Sequence, residues 1–300
     1  MTYKELLLRG EELLKQSNIN EYSLDAYLLF EDVFSISRAT YFVKCNDIIE
    51  NESRISEYLE KIKRRSERIP LQHITNSQEF MGLNFYVDEN VLCPRQDTEC
   101  LVEETLKAIE VLKKSNESKK TKTIDALDMC TGSGCIAISL KKISADISHM
   151  TAVDLSTKAL QIAKKNAIDN NVDIEFINSD LFESLNEGKD IGGKIYDIIV
   201  SNPPYIKTEE IYNLMSEVKD HEPMMALDGY EDGLYFYREI TKASVAYIKE
   251  NGWLLYEIGY DQGEAVKAIM LDNGFDDIEI IKDLAGLDRV VKGRKTGGKQ

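Results

Sequence analysis

The first part of the chain follows a helical pattern of hydrophobic and polar positions. Leu6, Leu7, Leu13 and Leu14 recur at the spacing of one helix face, and amphipathic stretches continue to about residue 68. This part carries no obvious catalytic group. The pattern therefore predicts a small helical domain over residues 1–69 that recognises or docks a partner.

The pattern changes between residues 70 and 93. The run Glu79-Phe-Met-Gly-Leu-Asn-Phe-Tyr-Val-Asp alternates around a glycine turn, which is typical of a β-hairpin. Helix resumes at Asp97-Thr98-Glu99, where acidic residues suit a first helical turn. We therefore predict that residues 70–93 form a hairpin linker to a larger domain that begins at residue 94.

Strand-like and helix-like runs alternate in this larger domain, residues 94–293. Helical runs such as 156–170 and 261–273 separate strand-like runs at 123–129, 150–155, 174–178, 196–201 and 253–258. The alternation predicts right-handed βαβ units and a doubly wound, mostly parallel sheet. Too few residues join the last two strand-like runs, 278–282 and 289–292, for a crossover helix, so the last strand should be antiparallel.

Two polar segments are predicted to lack regular structure. The run from Lys113 to Lys122 is rich in lysine and serine, which is typical of a mobile surface loop. Residues 294–300 are similarly polar and are predicted to be a disordered tail.

The charge balance changes which partners are expected. The 300 residues include 53 acidic side chains and 37 Lys or Arg, a net charge of −16 at pH 7. Nucleic-acid binding relies on basic side chains that neutralise phosphates, so we expect no direct nucleic-acid binding. Lys61-Ile-Lys-Arg-Arg65 with Arg68 is the best candidate for a basic patch, and we interpret it as a solvated helix face. An acidic surface favours a basic protein partner or a small-molecule substrate.

The location of the protein is inferred from its apolar runs and its cysteines. No run approaches the roughly eighteen apolar residues of a membrane span, and the first residues lack a secretory signal. The five cysteines include no Cys-x-x-Cys pair, and there are three histidines. We therefore expect a cytoplasmic protein with no membrane contact and no metal site.

A glycine-rich turn follows the first strand of the larger domain. Leu127-Asp-Met-Cys-Thr-Gly-Ser-Gly134 precedes a helical run, and such a turn lets backbone and helix amides approach a ligand. Asp154, at the end of the second strand, can accept hydrogen bonds from both hydroxyls of a ribose. Gly132-x-Gly134-x-x-Ala137 also satisfies a dinucleotide-binding pattern, so these residues alone leave the cofactor open.

Two further acidic residues favour S-adenosylmethionine. Asp128, within the strand end, is placed to contact the cationic amino group of the methionine moiety. Asp180, in Asn178-Ser-Asp-Leu-Phe after the third strand, offers a carboxylate to the adenine amino group beside apolar residues for its ring faces. A dinucleotide does not require this pair, so we predict S-adenosylmethionine as the cofactor.

The fourth strand leads into Asn202-Pro203-Pro204-Tyr205. Two consecutive prolines cannot continue an interior strand, so the chain leaves the sheet at the edge where the cofactor is expected. A planar NH2 nitrogen is a poor nucleophile because its lone pair is delocalised. The Asn202 side-chain oxygen and the Pro203 carbonyl can accept hydrogen bonds from the two N–H groups of this nitrogen and so favour its pyramidal form. Tyr205 can stack on the plane of the amide. The turn predicts methyl transfer to such a nitrogen, which amides, adenine and cytosine all carry.

Motifs along nearly the whole chain resemble one family of methyltransferases. Asn202-Pro-Pro-Tyr205 is similar to the turn of amino- and amide-methyltransferases. Pro94-Arg-Gln-Asp-Thr-Glu99 resembles the P-R-x-D/E-T-E signature of the peptide chain release factor glutamine N5-methyltransferases, the HemK/PrmC family. Pro70-Leu-Gln-His-Ile and Asp288-Arg-Val are similar too. The resemblance implies a Rossmann-like methyltransferase domain preceded by a small helical domain.

The resemblance also implies a substrate and residue roles. The substrate would be the glutamine side chain in the Gly-Gly-Gln loop of release factors, with the N-terminal helices gripping the release factor body. Asn202, Pro203, Pro204 and Tyr205 would hold the glutamine. The cofactor contacts would come from Cys130, Thr131, Gly132, Ser133, Gly134, Asp154, Leu181 and Asn202.

Three residues depart from the family's pattern. Cys130 stands where the family usually has glycine, and we expect it to be tolerated if its φ stays negative. Leu181 replaces an aromatic residue, so it keeps apolar contact with adenine but loses a stack. Gln96 replaces a common proline. These departures bear on cofactor affinity and leave the reaction class unchanged.

Three other interpretations remain open at this point. An adenine N6-methyltransferase acting on nucleic acid would use the same turn to bind a planar NH2 nitrogen, but it needs a basic cleft and a base-flipping pocket. A non-catalytic nucleotide-binding or docking protein would bind the cofactor without turnover. A nicotinamide dehydrogenase would satisfy the glycine pattern alone.

Overall fold

The computed structural model describes residues 1–115, 123–186 and 195–296. The chain forms two compact units, one of residues 1–77 with 215–221 and one of residues 78–214 with 222–300. The predicted boundary at residue 69 therefore lies inside the first unit. The sequence pattern also gave no sign that residues 215–221 belong with the N-terminal helices.

The first unit is helical, as its periodicity predicts. Its helices over residues 1–77 are α1 (Tyr3–Gln16), α2 (Tyr22–Phe34), α3 (Arg38–Lys44), α4 (Glu52–Ser66) and α5 (Leu71–Thr75). α1 begins at a capping box in which the side chains of Thr2 and Glu5 each accept the other's backbone N–H. Leu6, Phe30 and Tyr58 are fully buried in the core of this unit.

Ion pairs join residues 215–221 to the helices of the first unit. The Arg65 Nε donates to Asp25 Oδ2 at 2.7 Å, and both Arg65 and Arg68 lie 3.2 Å from Glu217 Oε1. Lys61 pairs with Asp32. The predicted basic patch is thus not a simple solvated face, because acidic partners engage three of its cations and Arg65 is buried.

The segment predicted as a hairpin linker contains a helix as well as a hairpin. α5 occupies Leu71–Thr75 and contacts α2 and α4, because Ile74 is buried in the core of the first unit. The hairpin follows as β1 (Gln78–Phe80) and β2 (Leu83–Phe85), with its turn at Met81 and Gly82. Phe80 and Phe85 are buried in the core of the second unit. These anchors make the segment part of both cores rather than a free connection.

The second unit is built on a seven-stranded sheet in the order β5-β4-β3-β6-β7-β9-β8. The strands are β3 (Ile124–Met129), β4 (Ile147–Asp154), β5 (Glu175–Asn178), β6 (Tyr196–Ser201), β7 (Ile248–Glu257), β8 (Phe275–Lys282) and β9 (Asp288–Lys295). β3 to β7 pair in parallel, and β9 is antiparallel to both β7 and β8. The predicted α/β fold with an antiparallel last strand is confirmed.

The helices of the second unit are α6 (Glu99–Ser115), α7 (Cys135–Ile143), α8 (Thr157–Asp169), α9 (Thr208–Ile211), α11 (Met224–Leu227), α12 (Tyr235–Ser244) and α13 (Gly263–Asp272). The short helix α10 (Ser216–Lys219) belongs to the first unit. Short 3-10 turns lie at Gln96–Thr98 and Glu183–Asn186. No helix in the described part of the chain is long and apolar enough to cross a membrane.

The last strand extends further toward the C-terminus than predicted. β9 continues through Arg294 and Lys295, which were assigned to the tail. Arg294 pairs with Trp253 in the ladder, and the Lys295 amino group donates to the Val245 and Ile248 carbonyls at 2.8 and 3.0 Å. The rest of the predicted tail, 297–300, and most of the predicted loop, 116–122, lie outside the described residues.

Candidate active site

The register of the sheet brings four strand ends to one edge. Met129 of β3 is level with Val153 of β4 and Ser201 of β6, and Asp154 of β4 is level with Asn178 of β5. The residues that follow these strands therefore surround one place, as in other open α/β sheets. A cavity of about 440 Å³ opens there. Among the residues that line it are Cys130, Thr131, Gly132, Ser133, Asp154, Asp180, Leu181, Asn202 and Pro204.

The glycine-rich turn is a compact loop between β3 and α7. The Thr131 N–H donates to the Val153 carbonyl, and the Gly134 N–H donates to the Thr131 carbonyl, both at 2.9 Å. Gly134 has φ of 82°, and a Cβ there would lie 3.0 Å from Ile138 Cδ1. Glycine is needed at this position because the residue that caps α7 is left-handed and packs against Ile138 and Ala163.

Asp128 lies beneath this loop and not on the cavity wall. Its side chain is fully buried, and its Oδ2 accepts hydrogen bonds from Thr131 Oγ1 at 2.6 Å and from the Ala137 N–H at 3.2 Å. Burial raises the pKa of this carboxyl to about 7. Asp128 therefore holds the loop through Oδ2, while its Oδ1 has no hydrogen-bond partner among the described residues. Its contact with the cationic amino group of the cofactor stays a prediction.

Asp154 lines the cavity from the end of β4. Its Oδ2 accepts the Gly132 N–H and its Oδ1 accepts the Ser156 N–H, both at 2.8 Å. Burial raises the pKa of the carboxyl, and these backbone hydrogen bonds oppose that shift. A carboxylate has about four acceptor positions, so this fixed group keeps capacity for ligand hydroxyls.

Two of the four residues of the Asn202–Tyr205 turn line the cavity. Asn202 and Pro204 line the cavity, whereas Pro203 and Tyr205 are not on its wall. The Asn202 Nδ2 points to Thr98 Oγ1 at 3.5 Å, which leaves its Oδ1 as an acceptor. The Tyr205 hydroxyl donates to the buried Glu257 Oε1 at 3.4 Å, and burial raises the pKa of Tyr205.

The main chain of Tyr205 is also fixed from behind. The Gln262 Nε2 donates to the Tyr205 carbonyl at 2.9 Å. Gly233 packs so closely that a Cβ on it would lie 2.4 Å from that carbonyl oxygen. Glu257, Gln262 and Gly233 were not singled out from the sequence, because they lie far along the chain and belong to no motif with a known spacing.

The segment from Pro94 to Thr98 forms another wall of the cavity. Pro94, Arg95 and Thr98 line it. The Arg95 Nη2 donates to both carboxylate oxygens of Glu222, at 2.7 and 2.8 Å. No local sequence pattern indicates that Arg95 and Thr98 line a cavity.

An apolar wall completes the cavity. Met224 and Met225 are about half exposed, and they line the cavity together with Tyr230 and Phe236. The Tyr230 ring lies 5.8 Å from the Phe236 ring. We found no sequence signal for this wall, since isolated methionines and aromatic residues are equally typical of a core.

Two of the three departures from the family's pattern have the same backbone feature. The φ of Cys130 is 63° and that of Leu181 is 46°. The condition under which we expected Cys130 to be tolerated, a negative φ, is therefore not met. The structure shows why glycine suits this position: a side chain there carries the strain of a left-handed residue.

The fold and the arrangement of this site define a Rossmann-like methyltransferase. The Methyltransferase small domain model matches residues 98–221, and the PrmC N-terminal domain model matches residues 5–75. The catalytic domain of hMettl16, solved in complex with an RNA hairpin, superimposes with a TM-score of 0.52 over 82% of each chain, at 15% identity. This likeness concerns the fold alone.

Curated relatives then identify the family. The release factor glutamine methyltransferase of Clostridium acetobutylicum is 40% identical, over 97% of this chain and 98% of that protein. The release factor glutamine methyltransferase of Clostridium botulinum is 37% identical, over 98% of this chain and 100% of that protein. The chain belongs to the release factor glutamine methyltransferase family, which confirms the resemblance seen in its motifs.

Proposed function

We propose that this protein transfers a methyl group from S-adenosylmethionine to the side-chain nitrogen of the glutamine in the Gly-Gly-Gln loop of peptide chain release factors. Membership of the family supports the reaction. The observation that carries the proposal is the Asn202–Tyr205 turn, which brings an acceptor side chain to a cavity ringed by four strand ends.

The residues present suit S-adenosylmethionine. Asp154 is held by two backbone N–H groups and is available to ribose hydroxyls, and Asp180 beside Leu181 offers an acceptor next to an apolar surface. The loop of Cys130 to Gly134 would hold the methionine part. The cofactor supplies a methyl group on a cationic sulfur, so neither a metal nor a strong base is required of the protein.

The protein's own contribution is to make the amide nitrogen reactive. Amide resonance underlies a rotation barrier of roughly 18–20 kcal/mol and withdraws the nitrogen lone pair. Acceptors at Asn202 Oδ1 and the Pro203 carbonyl favour a pyramidal nitrogen, whose lone pair is free to react. Since Pro203 and Tyr205 lie off the cavity wall, the glutamine would have to enter beside Asn202 to meet all three groups.

The test is methylation of purified release factors with labelled S-adenosylmethionine, followed by intact-mass measurement and peptide mapping. We expect a single added CH2 on the glutamine of the Gly-Gly-Gln loop. A release factor in which that glutamine is replaced by asparagine is the matched control and should stay unmodified. Label on another residue, or on RNA or DNA in place of protein, would refute the proposal.

A further inference from the structure

A buried glutamate lies directly behind the Asn202–Tyr205 turn. Glu257 is the last residue of β7, beside the β6 strand that leads into the turn, and its side chain is 2% exposed. Its Oε1 accepts the Tyr205 hydroxyl at 3.4 Å, the long end of the hydrogen-bond range. Glu257 does not line the cavity, so it can act on a substrate only through another residue.

The rest of Tyr205 is held independently of this contact. Its carbonyl accepts from Gln262 Nε2, and Gln262 Oε1 in turn accepts the Gly259 N–H at 2.9 Å. The main-chain carbonyl of Glu257 accepts the Tyr237 hydroxyl at 2.9 Å. The Tyr205 ring packs against the apolar core of the second unit, and its hydroxyl meets the Glu257 carboxyl.

The carboxyl of Glu257 is poorly neutralised for a buried acid. Its Oε2 has no hydrogen-bond partner among the described residues. Arg289 attracts it, but Arg289 also lies 3.3 Å from Asp97 and 3.1 Å from Asp283. Burial raises the pKa of Glu257 to about 7, although a hydrogen bond with the Thr98 side chain, the charge of Arg289 and the Tyr205 hydroxyl oppose that shift. The titratable or charged groups that face it from neighbouring elements are Arg289, Asp97, Tyr205, Tyr237 and Cys135.

We propose that Glu257 is a positioning residue for methyl transfer, which orients the Tyr205 ring through its hydroxyl and holds it most firmly when the carboxyl is ionised. A hydrogen bond to a carboxylate is roughly twice as strong as one to a neutral acceptor, which gives the direction of the effect. The consequence for rate rests on the proposed function, because Tyr205 is assigned there to the glutamine.

The first experiment is a double-mutant cycle on glutamine methylation, with kcat measured from pH 6 to 9 for the wild type, Glu257→Gln, Tyr205→Phe and the double variant. We expect wild-type kcat to rise through about pH 7 and Glu257→Gln to lower it roughly tenfold at pH 8, the scale of one strong hydrogen bond. In the Tyr205→Phe background Glu257→Gln should change neither kcat nor its pH dependence further.

The control is Glu104→Gln, another buried glutamate of the same unit, which pairs with Lys107 and Lys292. It should keep the wild-type kcat and pH profile. KM for the cofactor should stay unchanged in all variants, since neither Glu257 nor Tyr205 lines the cavity. Additive effects of Glu257→Gln and Tyr205→Phe would overturn the proposal.

A second experiment needs no turnover. Ring-labelled tyrosine is followed by NMR from pH 5.5 to 8.5, and the Tyr205 signal is assigned by its loss in Tyr205→Phe. We expect it to shift with a midpoint near neutral pH in the wild type and to stay fixed in Glu257→Gln. A Tyr205 signal independent of pH would overturn the proposal. A titrating Tyr205 in a protein that methylates no glutamine would support the positioning and refute the proposed function instead.

Discussion

Cys130 and Leu181 both adopt left-handed backbone conformations at the cavity, where side chains other than glycine are strained. For an L-residue this conformation costs roughly 1–2 kcal/mol. Cys130 also lies at the start of the loop that should hold the cofactor, so its strain bears on the stability of that loop.

We expect Cys130→Gly to be more stable than Cys130→Ala. Both variants remove the thiol, but only glycine relieves the positive φ of 63°. Glycine also makes the unfolded chain more flexible than alanine does, which offsets roughly 0.5–1 kcal/mol of that relief. The free energy of unfolding should therefore be about 0.5–1 kcal/mol higher for Cys130→Gly. Urea unfolding of the two variants measures it. If the alanine variant is equally stable, the left-handed strain at Cys130 is negligible.

Asn202 carries the most direct expectation for catalysis. Loss of one preorganised group at a reacting centre costs on the order of 10² to 10³ in rate. We expect Asn202→Ala to lower kcat for glutamine methylation by this factor, while a cavity-wall control, Met225→Leu, keeps a rate within about threefold because its volume and polarity are conserved. A near-normal kcat in Asn202→Ala would remove Asn202 from the proposed role.

The predictability of the site differs from residue to residue. The loop, Asp154 and the Asn202 turn could be placed because each follows a strand with its own sequence pattern. The contacts of Asp128 with Thr131 and Ala137 could not be predicted, because a sequence shows that an acid ends a strand but not which groups its side chain faces. Glu257 and Thr98 were missed since their roles come from contacts between distant segments.

At the scale of elements, long periodic segments were predictable and short ones were not. The runs predicted for β6 and α8 agree with the structure to within a residue at each end. α5 was not predicted, because five residues cannot show a helical period. α10 belongs to the first unit because Glu217 pairs with Arg65 and Arg68, and no local sequence pattern predicts such a tertiary contact.

We expect the ion pair between Asp25 and Arg65 to stabilise the first unit. Both side chains are buried, so Asp25→Ala leaves Arg65 with Glu217 and the Ile69 carbonyl as its remaining partners among the described residues. The cost should be about 2 kcal/mol, since hydrogen bonds to charged groups contribute roughly 1.5–3 kcal/mol. Glu57→Ala, which breaks the exposed pair with Arg54, should cost less than about 1 kcal/mol. Equal losses in urea unfolding would contradict this difference.

At the scale of the whole molecule, the sheet was predictable from the sequence. Continuous apolar runs separated by amphipathic helices leave few arrangements besides a doubly wound sheet, and the short connection before β9 requires an antiparallel partner. The expectation from the charge of −16 that the protein binds no nucleic acid stays a prediction. The membership of residues 215–221 in the first unit could not be predicted, since it depends on where a later segment packs.

Stability of the whole molecule should fall as the pH rises toward 7. Asp128 and Glu257 have pKa values near 7 in the folded protein, against about 4 in an unfolded chain. Between those values the folded state binds more protons than the unfolded state, so the free energy of unfolding decreases with increasing pH and levels off above 7. The lowered pKa values of Asp125 and Glu104 act oppositely, but their stabilisation is lost only in more acidic solution.

The measurement is the melting temperature at pH 6 and pH 8, at one ionic strength. We expect the wild type to melt higher at pH 6, because both buried acids are then mostly neutral. The double variant Asp128→Asn with Glu257→Gln keeps side-chain oxygens as acceptors but cannot ionise, so it should lose much of this difference. The variant keeps nearly the same repulsion among the other charges of a chain of net charge −16. It therefore separates the titration of Asp128 and Glu257 from that general repulsion. A wild type more stable at pH 8 than at pH 6 would show that Asp128 and Glu257 are not protonated near neutrality.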